Sequence, residues 1–117
     1  MMFNSGKTGE TAAAKYLKKN GYKILARNYR RTYGEIDIVA QKGENVAFVE
    51  VKTRKSDAFG TPAEFVTVQK QKKLIKAAYT YIQEHNIDAA FTFDIVEVYI
   101  DGKKVKEINH IKNAFYV

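Results

Sequence analysis

The sequence predicts an α/β domain, a central mixed β-sheet flanked by helices in the order αβββαββ. Two observations carry that prediction. Five runs rich in β-branched and aromatic residues are separated by Gly-containing or polar turns, as strands are. Two other segments repeat apolar residues at helical spacing, one before the first strand and one after the third. The 117 residues, 45% of them hydrophobic, suit one domain (1–117) with one core.

Thr8 to Asn20 reads as the first helix, with Ser5 or Thr8 as its cap and Asn20-Gly21 as its stop. At 100° per residue, Ala13, Ala14, Tyr16 and Leu17 form its apolar arc. Lys23 to Arg30, Glu35 to Gln41 and Val46 to Thr53 read as three strands, the last two joined through Lys42-Gly43-Glu44-Asn45. Ser56 to Pro62 is a loop, and Thr61-Pro62-Ala63-Glu64 has the form of a capping box. The second helix runs from about Thr67 to His85, with Val68, Leu74, Ile75, Ala78, Tyr81 and Ile82 on one arc and Lys72, Lys73 and Lys76 on the other. Ala90 to Ile100 is the fourth strand, Asp101-Gly102 signals a hairpin, and Val105 to Ile111 is the fifth strand.

Period-two alternation puts Glu35, Asp37 and Val39 on one face of the second strand, with Ile36, Ile38 and Ala40 on the other. In the third strand Phe48, Glu50, Lys52 and Arg54 share a face. With Gly43 and Glu44 as the central pair of the hairpin, Asp37 lies opposite Glu50 and Glu35 opposite Lys52. Directly opposed side chains have Cβ atoms roughly 4.5–5.5 Å apart, where like charges repel. Two carboxylates held so closely share a proton or a cation. One or two carboxylates with water or phosphate oxygens completing the set is the Mg²⁺ pattern. Lys52, on the same face, adds a positive charge suited to positioning a water or offsetting phosphoryl charge.

Glu10 falls within the apolar arc of the first helix, and two readings are open. It is either a first-turn carboxylate stabilised by the helix dipole, or a further acidic group directed at Asp37 and Glu50. Lys70 stands at the boundary of the second helix's apolar arc, within reach of a phosphate at the carboxylates. Phe91, Phe93 and Ile95 read as core, and Asp94 and Glu97 as edge or solvent residues, although Asp94 amid apolar neighbours needs a partner. His85 reads as a helix C-terminal charge partner and His110 as isolated. Tyr22, Tyr29, Tyr33 and Phe59 flank the basic stretch and the loop, suited to packing or to stacking on bases. There is no P-loop, dinucleotide fingerprint or Gly-x-Ser-x-Gly elbow.

The formal charge of +7 suits a polyanionic partner. No stretch approaches the roughly 20 apolar residues of a membrane span, and Met1-Met2-Phe3-Asn4-Ser5-Gly6 lacks the apolar core of a signal peptide. The absence of Cys removes disulfides and thiolate metal sites. These features favour the cytoplasm.

Asp37 followed after a turn by Glu50-Val51-Lys52 resembles the PD-(D/E)XK, or restriction-endonuclease-like, nuclease superfamily. The wording Gly34-Glu35-Ile36-Asp37-Ile38-Val39-Ala40 with Phe48-Val49-Glu50-Val51-Lys52-Thr53-Arg54 is similar to the bacterial YraN family. Gly9-Glu10, Ala26 to Arg30, Lys70 to Ile82 and Phe93 to Val98 extend that similarity over most of the chain. The resemblance implies a restriction-endonuclease-like fold and Mg²⁺ (or Mn²⁺) bound by Asp37 and Glu50. It also implies Lys52 as the catalytic lysine and Glu10 as the acidic residue of the first helix. The superfamily's proline is replaced here by Glu35-Ile36 before Asp37.

The expected activity is metal-dependent hydrolysis of DNA phosphodiesters, including branched DNA, with Arg30, Arg31, Arg54 and Lys70 holding backbone phosphates. Cutting both strands symmetrically requires a homodimer. One alternative is a catalytically inactive module on the same fold that binds nucleic acid or protein. Another is a structural charge ladder in which Lys52, Arg54 and Arg27 pair with Asp37 and Glu50.

Overall fold

A computed structural model describes residues 5–60 and 66–117. In chain order these form α1 (Ser5–Lys19), β1 (Lys23–Arg31), β2 (Gly34–Lys42), β3 (Asn45–Lys55), a 3₁₀ turn (Ser56–Ala58), α2 (Val68–Glu84), β4 (Ala90–Asp101) and β5 (Lys104–Phe115). The strands lie side by side in the order β1-β2-β3-β4-β5. Only β3 and β4 run parallel, joined by the crossover that contains α2; the other neighbours are antiparallel. The mixed sheet flanked by helices is therefore the observed architecture. Among the described residues no helix is long and apolar enough to cross a membrane.

Alternation in the strands creates two apolar layers. Ile38, Ala40, Ala47, Val49, Val96 and Val98 meet Ala13, Ala14 and Leu17 of α1 on one face. Val39, Val46, Phe48, Phe93 and Ile95 meet Leu74, Ala77, Ala78 and Tyr81 of α2 on the other. Both helical arcs are as expected except at Val68, which is exposed in the first turn of α2, and Ala77, which joins the buried set.

Local signals set most boundaries. At the end of α1, Tyr22 N–H donates to the Leu17 carbonyl (2.9 Å) and Gly21 N–H to that of Lys18 (3.1 Å), with Gly21 at φ +88°. That is a Schellman motif. Thr67 caps α2, its side chain accepting from Lys70 N–H at 3.2 Å. The proposed capping box at Thr61-Pro62-Ala63-Glu64 lies outside the described residues. Helix α1 starts by Ser5, ahead of the expected Thr8, and β5 continues to Phe115, beyond the expected Ile111. The extension of β5 crosses a register shift near Asn113, whose φ is +55° and whose N–H donates to Asp94 Oδ1 (3.0 Å).

Asp94 and Glu97 correct an expectation, because both are buried rather than at an edge or in solvent. His110 is not isolated. Its Nε2 lies 2.8 Å from Asp94 Oδ2 and its Nδ1 3.2 Å from the Tyr16 hydroxyl. Burial alone would raise the Asp94 pKa, but His110, the Asn113 amide and Thr92 together hold it below the ordinary value. His85 caps α2, with its Nδ1 3.0 Å from the Tyr81 carbonyl oxygen and its ring stacked on Tyr81.

Gly34 is required by a close approach. A Cβ there would stand 2.7 Å from the backbone carbonyl oxygen of Lys73. Gly34→Ala therefore must push β2 and α2 apart. We expect a loss of about 1–3 kcal/mol, read as a lowered midpoint in urea unfolding. An unchanged midpoint would refute this contact as the reason for glycine.

Candidate functional site

The β2–β3 hairpin keeps the register set by Gly43-Glu44, with Lys42 opposite Asn45 and Ile38 opposite Val49. The ladder stops there. Asp37 and Glu50 are the next facing positions, just where the two strands separate. Val51 N–H donates not to a β2 carbonyl but to Asp37 Oδ2, at 2.8 Å.

The alternation of β2 also breaks at this point. Ile36 packs with Val39 on the α2 face, whereas Ile38 and Ala40 pack on the α1 face. The expectation that Ile36 shares a face with Ile38 is therefore corrected. In β1 the pairing passes from Arg27↔Ile38 to Tyr29↔Ile36, and the intervening Asn28 is left-handed at φ +53°. Asn is among the few side chains that tolerate that conformation. The irregularity leaves Asp37 in the opening between strands rather than on a flat face.

Glu50 points to the α2 side and is 6% exposed. Its Oε1 lies 2.5 Å from Lys70 Nζ, an ammonium whose side chain is 45% exposed. Partial burial works against that ammonium, but the hydrogen bond and charge of Glu50, with Asp37 and Glu35 adding, raise its pKa. Among the described residues Asp37 is ion-paired with no ammonium or guanidinium. Burial first, then the charge of Glu50, pushes its carboxyl up to about 7; Glu10 and Glu35 add to the rise, and the Val51 amide opposes it.

Glu10 is half-buried and approaches from the α1 side. A Cβ on Gly9 would overlap the Thr53 side chain, so glycine lets the start of α1 close on the end of β3. Negative charges thus converge on Asp37 from both faces of the sheet. Lys52 is half-buried beside Glu97 in the parallel β3–β4 register. Among the described residues it has no hydrogen-bond or ion-pair partner.

The basic residues divide. Lys70 joins the carboxylates. Arg30 makes an exposed pair with Glu35, its Nε 3.4 Å from Oε2. Arg31 is held by Glu84 at 2.7 Å and lies over the Tyr29 ring. Residues 70 and 84 are about 21 Å apart along α2, so this clamp belongs to the far end of the helix. Arg54 is largely buried, bonded to Glu97 (3.1 Å) and the Tyr99 hydroxyl (2.9 Å). Tyr22, Tyr29 and Tyr33 are spent mainly on packing. Phe59 is exposed and rests edge-on against Tyr99. The charge-ladder pairing of Asp37 and Glu50 with Lys52, Arg54 and Arg27 does not form, since Glu50 takes Lys70 and Asp37 the Val51 amide.

Sequence reasoning missed the buried Glu97 cluster and, for Asp94, the identity of its partner His110 and of Tyr16 behind it. The one available signal was the presence of acidic residues inside the apolar run 91–100.

Among the described residues no group of three Asp, Glu or His side chains gathers closely enough to hold a metal ion. The donor chemistry fits a hard divalent cation all the same. Two carboxylates suffice for Mg²⁺ when water or phosphate oxygens complete its shell. Asp37 is raised first by burial and then by the charge of Glu50, and Glu50 already draws a cation, the Lys70 ammonium.

Residues 9–98 match the family described as "Uncharacterised protein family UPF0102". Similar proteins, each named UPF0102 protein, include one from Caldicellulosiruptor saccharolyticus, 47% identical over 112 residues (94% of this chain, 95% of the relative). One from Syntrophomonas wolfei is 49% identical over 111 residues (94% and 96%). Another from Geobacter metallireducens is 45% identical over 111 residues (94% and 90%).

Proposed function

The chain belongs to the UPF0102 (YraN) family, and from the site in its matched segment we propose that it is a metal-dependent phosphodiesterase acting on DNA. Membership of the PD-(D/E)XK nuclease superfamily is part of this reading. The observation that carries it is the position of Asp37 and Glu50, two carboxylates at the mouth of the β2–β3 split with the half-buried Lys52 on the Glu50 strand.

In this reading Asp37 and Glu50 would hold Mg²⁺ or Mn²⁺, which would supply Lewis-acid chemistry to a phosphodiester and its attacking water. Lys52 lies along the same face and orients that water or offsets the growing phosphoryl charge. Water adds to phosphorus, the bond to one ester oxygen breaks, and that oxygen leaves with a proton. Glu10 extends the acidic shell from the opposite side. The net charge of +7 favours the polyanion. One such centre cuts one strand, so symmetric cleavage of a duplex requires two copies of the chain.

Incubating the protein with branched and linear DNA plus Mg²⁺ or Mn²⁺ tests this. Cleavage is expected only with metal, and Lys52→Ala should reduce its rate by about 10²-fold or more. No cleavage with either metal, or full activity in Lys52→Ala and Asp37→Ala, would overturn it.

One observation favours a second reading, a non-catalytic binding module: Glu50 already carries a cation, Lys70. Titration with Mn²⁺ separates the two, since the module binds DNA but no metal.

A further inference from the structure

Lys70 occupies the place of a counter-ion. Its Nζ lies 2.5 Å from Glu50 Oε1, and Glu50 is among the few buried charged residues. A buried carboxylate without a cation is costly, and here the ammonium comes from the first turn of α2. The backbone there is pinned independently of the pair. Thr67 caps Lys70 N–H, and the Gln71 side-chain amide donates to the Val66 carbonyl at 2.8 Å. The Lys70 side chain is therefore able to leave Glu50 without unwinding the helix. Beside it lies a groove of about 310 Å³, lined by Gly34, Glu35, Thr67, Gln69, Lys70 and Lys73 among others. Two ammonium groups, Lys70 and Lys73, border that space.

We propose that Lys70 is an internal competitor for the divalent metal on Glu50, and that metal binding releases its ammonium into the adjoining groove to take a backbone phosphate of DNA. This rests on the metal-site reading. Two cations on one carboxylate repel, so metal and Lys70 oppose each other at Glu50. The displaced charge then adds to Lys73 in the groove, and metal and DNA bind cooperatively. By linkage the coupling is reciprocal: DNA in the groove holds Lys70 away from Glu50 and tightens metal binding. Lys70 is thus a positioning residue that commits the centre to metal when nucleic acid is present.

Two measurements on the full chain test it without cleavage. In the first, Mn²⁺ is titrated calorimetrically into wild type and Lys70→Met, with thermal melts confirming that both are folded. Lys70→Met should bind Mn²⁺ roughly three- to tenfold more tightly, because a competing charge worth about 0.7–1.4 kcal/mol is gone. In the second, a fluorescent DNA duplex is titrated in Ca²⁺ or in EDTA. Wild type should bind more tightly in Ca²⁺, and Lys70→Met should lose most of that gain, whereas Lys70→Arg keeps it. Unchanged Mn²⁺ affinity in Lys70→Met, or an undiminished Ca²⁺ gain, overturns the role of Lys70 while leaving the metal site standing. No Mn²⁺ binding by wild type overturns both.

Discussion

Asp37→Asn should make the metal-free protein more stable above pH 7, not less. The carboxyl is pushed up to about 7 by burial and by Glu50, with Glu10 and Glu35 adding. In an unfolded chain it titrates near the ordinary Asp value of about 3.9. Below pH 4 both states are protonated and the group costs nothing. Between about pH 4 and 7 the native state holds a proton that the unfolded state has released, so stability falls as pH rises. Above pH 7 the full cost is present. The cost of holding that charge in the fold is at most about 4 kcal/mol. With Asn retaining an acceptor for the Val51 amide, we expect a gain of about 1–3 kcal/mol at pH 8. That is a rise of roughly 3–12 °C in Tm for a domain of this size. The gain should vanish by pH 4. The same variant should lose DNA cleavage and the stabilisation that Mg²⁺ gives wild type. Melts in EDTA and in Mg²⁺ from pH 4 to 8.5 read all of this. A lower Tm than wild type at pH 8 would mean that Asp37 serves the fold as a paired charge, and the metal reading would lose its main physical support.

The part of this site that was legible in the sequence is the part set by local rules. Gly43 and Glu44 between two alternating runs fix the hairpin register, and with it the facing of Asp37 and Glu50. Helical period fixes the buried stripes of α1 and α2, and Asn20-Gly21 fixes the end of α1. What was not legible depends on neighbours distant in sequence. Ile36 changes face beside a left-handed residue in another strand, Asn28. Glu97 is buried because the parallel β3–β4 register brings Arg54 to it from 43 residues away. Asp94 finds His110 only through the β4–β5 pairing. The boundary position of Lys70 was visible from helical period, but not that its ammonium would rest on Glu50, since that depends on where α2 crosses the sheet.

Arg54 shows how far such a distant pairing shifts a functional assignment. From sequence it shares a face with Glu50 and Lys52 and reads as a phosphate contact. In the fold its guanidinium bonds Glu97 and the Tyr99 hydroxyl and lies over the Tyr99 ring, 5.3 Å from its centroid. Glu97 is 1% exposed, and its other oxygen accepts from Tyr99 (3.1 Å) and from Asn109 (2.9 Å). Arg54→Met removes the only cation that the structure bonds to Glu97 among the described residues. The carboxylate then faces two neutral donors at a buried position, and breaking such a pair costs about 3–5 kcal/mol. Urea unfolding at pH 7 should show that loss. The double variant Arg54→Met/Glu97→Met should recover most of it, because removing both charges also removes the desolvation cost. The two roles separate cleanly in DNA binding below the melting temperature. A phosphate contact predicts that Arg54→Met lowers the salt dependence by about one charge. A structural pair predicts an unchanged salt slope with a large fall in stability, and the geometry favours this second outcome. A stable Arg54→Met with a reduced slope would return Arg54 to the DNA surface.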